Sequence, residues 1–192
     1  MPTIDEALLE RLANVRREPV FELPDEEQER AFSKIARLCA VRERCESELS
    51  QRLAKDGFDS EASRAALARA VSCGLVDDAR FGAVLVRSRI AQGKGRAGIE
   101  SELSRLGIDE WSIDGWPDGF FSGDPAAEEF ARALDVLRRK PPRAKNVVAA
   151  AYRRLVSKGY GAQTASAAAR RFAEEAGKVE GSGMDFSDNP TW

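Results

Sequence analysis

Residues 49–58 read Leu-Ser-Gln-Arg-Leu-Ala-Lys-Asp-Gly-Phe. Leu49 and Leu53, four apart, share one face of a helix, and a glycine followed by an apolar residue is the pattern that closes one. The same arrangement returns twice. Ile99 and Leu103 precede Gly107-Ile108, and Ala151 and Leu155 precede Gly159-Tyr160, each pair lying eight and four residues ahead of its glycine.

Working outward, a second helix stands ahead of each of these. Phe32, Phe81 and Phe130 recur 49 residues apart, and the glycines follow them by 25, 26 and 29 residues. The positions three, four and seven after each Phe are Ile35, Ala36, Cys39; Val84, Leu85, Ser88; and Ala133, Leu134, Leu137, of which only Ser88 is polar. This spacing predicts an apolar stripe on the first helix of each unit. A third helix is expected in the first unit on Ala62, Ala66, Leu67, Ala70 and Val71, and in the third on Ala165, Ala168, Ala169 and Phe172. In the second, Trp111, Ile113 and Trp116 run into Pro117-Asp118-Gly119, so its third helix should be short or frayed. One helix pair cannot bury its apolar face alone. The prediction is an all-α chain, an elongated, curved array of three tandem three-helix repeats.

The repeats are expected at residues 31–78, 79–123 and 124–175, with an acidic N-terminal extension over 1–30 and a disordered C-terminal tail over 176–192. Helix punctuation agrees. Asp25 with Gln28 reads as a capping box, and Asp59 or Ser60, Asp77 or Asp78, and Asp124 before Pro125 read as helix starts. Gly57, Gly74, Gly107 and Gly159 read as left-handed caps.

The chain has 192 residues, 43% hydrophobic and 32% charged, enough to bury a core. It has no histidine, which removes Ser-His-Asp triads, Cys-His dyads and His-containing metal sites. Cys39, Cys45 and Cys73 form no C-x-x-C pair and read as small core residues in a reducing compartment. Neither a signal peptide nor a membrane-length apolar run is present, so a cytoplasmic protein is expected. Gly93-Lys94-Gly95-Arg96-Ala97-Gly98 lacks the spacing and the Ser or Thr of a phosphate loop. It reads as a tight corner between two helices. Asp77-Asp78 reads as a cap rather than a metal pair. No catalytic constellation, cofactor site or metal site emerges, and the chain is expected not to be an enzyme.

The net charge of -2 hides segregation along the chain. Residues 79–106 carry +4, 107–129 carry -7 and 130–175 carry +8. Two basic stretches thus flank an acidic hinge. The first holds Arg87, Arg89, Lys94 and Arg96. The second holds Arg138, Arg139, Lys140, Arg143, Lys145, Arg153, Arg154 and Lys158. Such clusters suit phosphate backbones or an acidic protein groove. Tyr152 and Tyr160 lie near the second stretch but read as packing residues rather than stacking platforms.

The ordered string Gly74-Leu75-Val76-Asp77-Asp78-Ala79-Arg80-Phe81, Val86-Arg87-Ser88-Arg89, Gly93-Lys94-Gly95 and Ile99-Glu100-Ser101-Glu102-Leu103 resembles the RecX regulatory protein family. Leu49 to Phe58 and Leu155 to Tyr160 fit the family more loosely, and the likeness covers roughly residues 31–175. Family members often carry Pro where this chain has Arg96. The resemblance implies three tandem three-helix repeats. It also implies binding to the filament of the RecA recombinase on single-stranded DNA, with inhibition of recombinase, ATPase and co-protease activity by limiting growth or destabilising the filament. It implies a part in RecA regulation, homologous recombination, DNA repair and the SOS response. On that reading Arg87, Arg89, Lys94, Arg96, Arg138, Arg139, Lys140, Arg143, Lys145, Arg153 and Arg154 contact RecA or the bound strand. Single- or double-stranded DNA is a possible direct ligand, no membrane is involved, and the chain acts as a monomer. The alternative is a basic-striped helical module that binds DNA without RecA, and a further one is a helical scaffold for another acidic partner.

Overall fold

The computed structural model describes residues 25–121 and 123–181, and the side chains up to Gly177. Helices α1 (Glu26–Cys39), α2 (Glu46–Lys55) and α3 (Ser60–Ser72) form the first repeat. Helices α4 (Asp78–Ala91) and α5 (Arg96–Leu106) with a 3-10 turn at Glu110–Ser112 form the second, and α6 (Pro125–Arg139), α7 (Val147–Ser157) and α8 (Ala162–Gly181) the third. No strand occurs among the described residues.

The caps explain why the helices start and stop there. The carboxylate of Asp59 accepts from the amides of Glu61 (2.7 Å) and Ala62 (3.2 Å), that of Asp77 from Arg80 (2.8 Å) and that of Asp124 from Ala126 (3.0 Å). The capping box expected at Asp25 does not form. Glu27 instead accepts from the Asp59 amide at 3.0 Å and ties α1 to the start of α3. At the far ends, Gly57, Gly107 and Gly159 adopt φ of 83°, 76° and 83°. The amides of Phe58, Ile108 and Tyr160 reach back to the carbonyls of Leu53, Leu103 and Leu155 at 3.2, 3.0 and 3.1 Å. These are three copies of one Schellman closure, built on the residues that mark the repeat in the sequence.

Three cores result, one per repeat, the second also taking in Cys45 of the first repeat. The paired columns on the second helices are wholly buried: Leu49, Leu53, Ile99, Leu103, Ala151 and Leu155 are each 0–1% exposed. Removing a side chain such as Leu53 should cost ~2–5 kcal/mol. The cores stay separate because every extensive helix–helix contact lies inside one repeat. Successive repeats meet only at narrow joints, as expected of a stacked helical array.

Several expectations need correction. The equal spacing of the phenylalanines is not the structural register. Measured from the cap glycines, the repeats are offset by 50 and then 52 residues, which aligns Ala31 with Phe81 and Ala133, and Ile35 with Leu85 and Leu137. All six are buried, whereas Phe32 and Phe130 lie at the edge of their cores and Val84, expected in the stripe, is 50% exposed. Val71 is likewise turned outward at 40%. Finally, α1 begins before residue 31 and α8 runs to Gly181, so the segment from 176 opens as helix. The rest of that tail and residues 1–24 of the extension lie outside the described residues. Nor are all three cysteines core residues as expected: Cys45 is buried and Cys39 half-buried, but Cys73, at the end of α3, is exposed.

The defect foreseen in the second repeat is real and is filled by side chains. Where α3 and α8 lie in the other repeats, the chain makes a single 3-10 turn. It then packs Ile113 and Phe121 into the core, with Trp116 and Phe120 against them. Gly82 makes room for this on α4: a Cβ there would meet the Cδ1 of Ile113 at 2.7 Å.

Candidate functional site

The second and third repeats meet backbone to backbone. The amides of Gly95 and Gly98, at the start of α5, donate to the carbonyls of Lys158 (3.0 Å) and Gly159 (2.9 Å) at the end of α7. A Cβ on Gly95 would meet the Gly159 oxygen at 2.5 Å, and one on Gly98 the Gly159 Cα at 2.7 Å. Glycine is required here by the closeness of the two backbones. The Arg96 amide donates to the Glu129 carboxylate at 2.8 Å, and Lys158 Nζ donates to the Gln92 carbonyl at 2.9 Å. Tyr160 is buried against the same joint, and burial pushes its hydroxyl up to about 12. It is a packing residue and offers no ring to a base.

This joint gathers five of the eight cations of the second basic stretch. Arg139, Lys140, Arg143 and Arg154 line a recess of about 690 Å³ floored by Pro141 and Pro142. Arg139, Lys140, Arg154 and Lys158 also line an adjoining notch of about 170 Å³ with Gln92, Gly93 and Val136. Five cations thus converge from the end of α6, the following loop and α7, and no residue lining either space is acidic. Arg154 is held by the Lys140 carbonyl and Lys158 by that of Gln92. Both bonds leave the full positive charge in place. Arg139 pairs with Asp135 at 2.5 Å on its own helix, at a strongly exposed position where such a pair contributes little. Lys158, counted in the basic stretch but not among the contact residues, belongs to the recess because the glycine joint draws α7 up to Gln92.

The remaining candidates lie elsewhere. Arg138 is committed to Glu175 through bonds of 2.8–3.2 Å that tie α6 to α8 and hold the carboxyl below its usual range. Lys145 lines a different recess, at the start of α7 beside α8. Arg153 is exposed on α7.

Nor does the first stretch form one patch. Arg89 makes a bidentate pair with Glu102 (2.6 and 2.8 Å), clamping α4 to α5. The bond keeps the arginine's affinity for its proton above, and the carboxyl's below, the ordinary value. Arg96 pairs with Glu100 at 2.8 Å and lies over Trp116 and Phe121, 5.5 and 5.6 Å from their ring centres. Arg87 covers Phe120 at 5.1 Å. These two arginines cover the aromatic plug of the second repeat. Lys94 stands at the α4–α5 corner, where its amide closes α4 on the Arg89 carbonyl at 3.0 Å. The Asp77-Asp78 pair is divided between two tasks. Asp77 caps α4, and Asp78 accepts from the Glu46 amide of the first repeat at 2.8 Å. Burial raises the Asp78 carboxyl above its ordinary value.

Among the described residues no helix is long and apolar enough to cross a membrane. Residues 31–69 match the description "RecX, first three-helix domain" and residues 77–115 "RecX, second three-helix domain". A regulatory protein RecX of Amycolatopsis mediterranei is 42% identical over 94 residues, covering 48% of this chain and 54% of that protein. The one of Mycolicibacterium vanbaalenii is 37% identical over 118 residues, covering 61% and 62%. The chain therefore spans only about half to two thirds of the length of these relatives. A crystal structure of RecX from Lactobacillus salivarius superposes with a TM-score of 0.58 over 78% of this chain and 98% of that one, at 13% identity. A second, of regulatory protein RecX, gives 0.57 over 85% and 76%, at 20% identity. At such identities the two structures speak for the fold alone.

Proposed function

Because this chain belongs to the RecX family of regulatory proteins, we propose that it acts on the filament of the RecA recombinase on single-stranded DNA and restrains it. The observation that carries this reading is the recess of five cations at the second joint, with no acidic residue in its lining. A row of repeats joined end to end suits a long target. A fixed cluster of arginines and lysines suits phosphates, with backbone contacts that carry affinity rather than sequence preference. Binding restrains the filament only to the extent that one filament state is bound more tightly than another. Arg139, Lys140, Arg143, Arg154 and Lys158 form the proposed contact. Arg89 and Arg138 serve the fold. No catalytic role is assigned to any side chain, and the protein works in the compartment where the recombinase and its DNA are found.

The test follows ATP hydrolysis by RecA on single-stranded DNA as the protein is titrated in. Inhibition is expected, and Arg139→Glu with Arg143→Glu should remove most of it. No inhibition at superstoichiometric protein overturns the proposal. The same variants on bare DNA separate the alternative. A module acting without RecA loses DNA binding and has no filament effect to lose.

A further inference from the structure

The joint between the first and second repeats repeats the architecture of the second joint with a different lining. In the glycine register, Gln92, Gly93, Val136, Lys140, Arg154 and Lys158 correspond to Arg42, Glu43, Val84, Ser88, Glu102 and Leu106. The second six line the largest part of a groove of about 580 Å³, completed by Phe81, Leu85 and Arg105 among others. The two spaces are therefore one groove, built twice.

At the second joint the groove is narrowed by its own residues to the notch of about 170 Å³. Val136 fits the notch of Gly93, whose Cβ would meet the valine methyl at 2.7 Å, and Lys158 bridges to Gln92. At the first joint neither closure exists. The place of Gly93 is taken by Glu43, which turns away to hold Arg80 at 2.9 and 3.1 Å. The place of Lys158 is taken by Leu106, which has no charged end to send across. Val84 is left 50% exposed over a floor of Phe81 and Leu85. The lining holds three arginines (Arg42, Arg89, Arg105) and three glutamates (Glu43, Glu48, Glu102), and because Glu43 is drawn off by Arg80 outside it, one cation is left over. Arg42 is paired with Glu48 and Arg89 with Glu102. Arg105 is exposed and closes no ion pair among the described residues.

We propose that this open groove docks an acidic peptide segment of a partner protein, with an apolar side chain seated on Val84, Leu85 and Leu106 and a neighbouring carboxylate on Arg105. The apolar anchor does for the first joint what the Val136 side chain does for the second, and the carboxylate meets the cation that the fold leaves unpaired. This is a protein-recognition site, separate in position and chemistry from the cationic recess. It stands whether or not RecA is the regulated partner.

The experiment uses the full chain with labelled Val and Leu methyl groups, observed by NMR. The probe is a short synthetic peptide alternating Glu with Phe and Leu. Saturable shifts are expected at Val84, Leu85 and Leu106, and Val84→Asp, at an exposed position, should weaken binding by about tenfold or more. Arg105→Glu should weaken it as well while leaving the fold unchanged. Two control peptides complete the design, one with Lys in place of Glu and one with Ser in place of Phe and Leu. The proposal is overturned if the probe leaves the three methyls unmoved, if either control moves them equally, or if Val84→Asp binds as tightly as the parent chain.

Discussion

The first and second joints place the same groove between the same pair of helices and fill it in opposite ways. At the first, Glu102 is occupied by Arg89 and Leu106 is apolar, so the space stays wide and its charges are largely paired. At the second, the corresponding residues are Arg154 and Lys158, the space is narrow and every ionisable residue lining it is a cation. The backbone contacts differ too. Both joints tie an amide at the start of the second helix to a carboxylate of the next repeat, Glu46 to Asp78 and Arg96 to Glu129, but the second adds glycine against glycine and the first adds Arg80 on Glu43. A repeat keeps its core columns and cap, because those make it fold. It varies the joint, because the joint faces the partner.

The largest expected effect breaks the second joint while sparing the first. Gly57 and Gly159 hold the same place in their caps, with the same φ of 83°. Around Gly57 an added Cβ meets nothing within 4 Å, whereas at Gly159 it runs into the backbone of Gly98. Gly57→Ala should cost only the left-handed strain, ~1–2 kcal/mol. Gly159→Ala adds overpacking against a backbone that cannot rotate away, for a total of ~3 kcal/mol or more. Denaturant midpoints of the two variants test this, and equal midpoints would show that the glycine joint carries no stability.

A second experiment turns one groove into the other. Arg154→Glu with Lys158→Leu gives the second joint the residues of the first. Two cations lost from a phosphate contact should lower the salt slope of single-stranded DNA binding by about 1.4 and weaken binding tenfold or more at low salt. Affinity measured across a salt series reads both. An unchanged slope would place the phosphate contacts outside the recess.

What the sequence made legible follows from how far apart the partners are. The cap glycines, the paired columns on the second helices and the broken third helix of the second repeat are all local patterns. Each appears in the structure where spacing put it. The phenylalanine column misled because one residue type was aligned, while burial follows the distance to the cap; Val84 faces outward for that reason. The joint was invisible. Gly95 and Gly98 read as a tight corner between two helices, and only the fold brings Gly159 to them from another repeat. The basic stretches were read as linear clusters. Nothing near Arg89 or Arg138 in the chain announces that Glu102 and Glu175 consume them, nor that Lys158 crosses to Gln92.

The smallest effect sharpens the comparison through pH. Glu102 has its carboxyl held below the ordinary value, chiefly by the hydrogen bonds from Arg89. A carboxyl depressed in the fold contributes stability that is fully present above its unfolded value of about 4.3, and that is lost as pH falls through the lower, folded value. The pair is partly screened by solvent, so the contribution should stay under about 1 kcal/mol. Glu102→Gln should therefore lower stability slightly at pH 7 and leave a shallower decline between pH 5 and pH 3 than the parent shows. The second joint has Arg154 at this position and no such carboxyl, so Arg154→Gln should leave the acid limb as it is. If the two variants decline in parallel with the parent through that range, the Arg89 clamp is not a pH-linked difference between the joints.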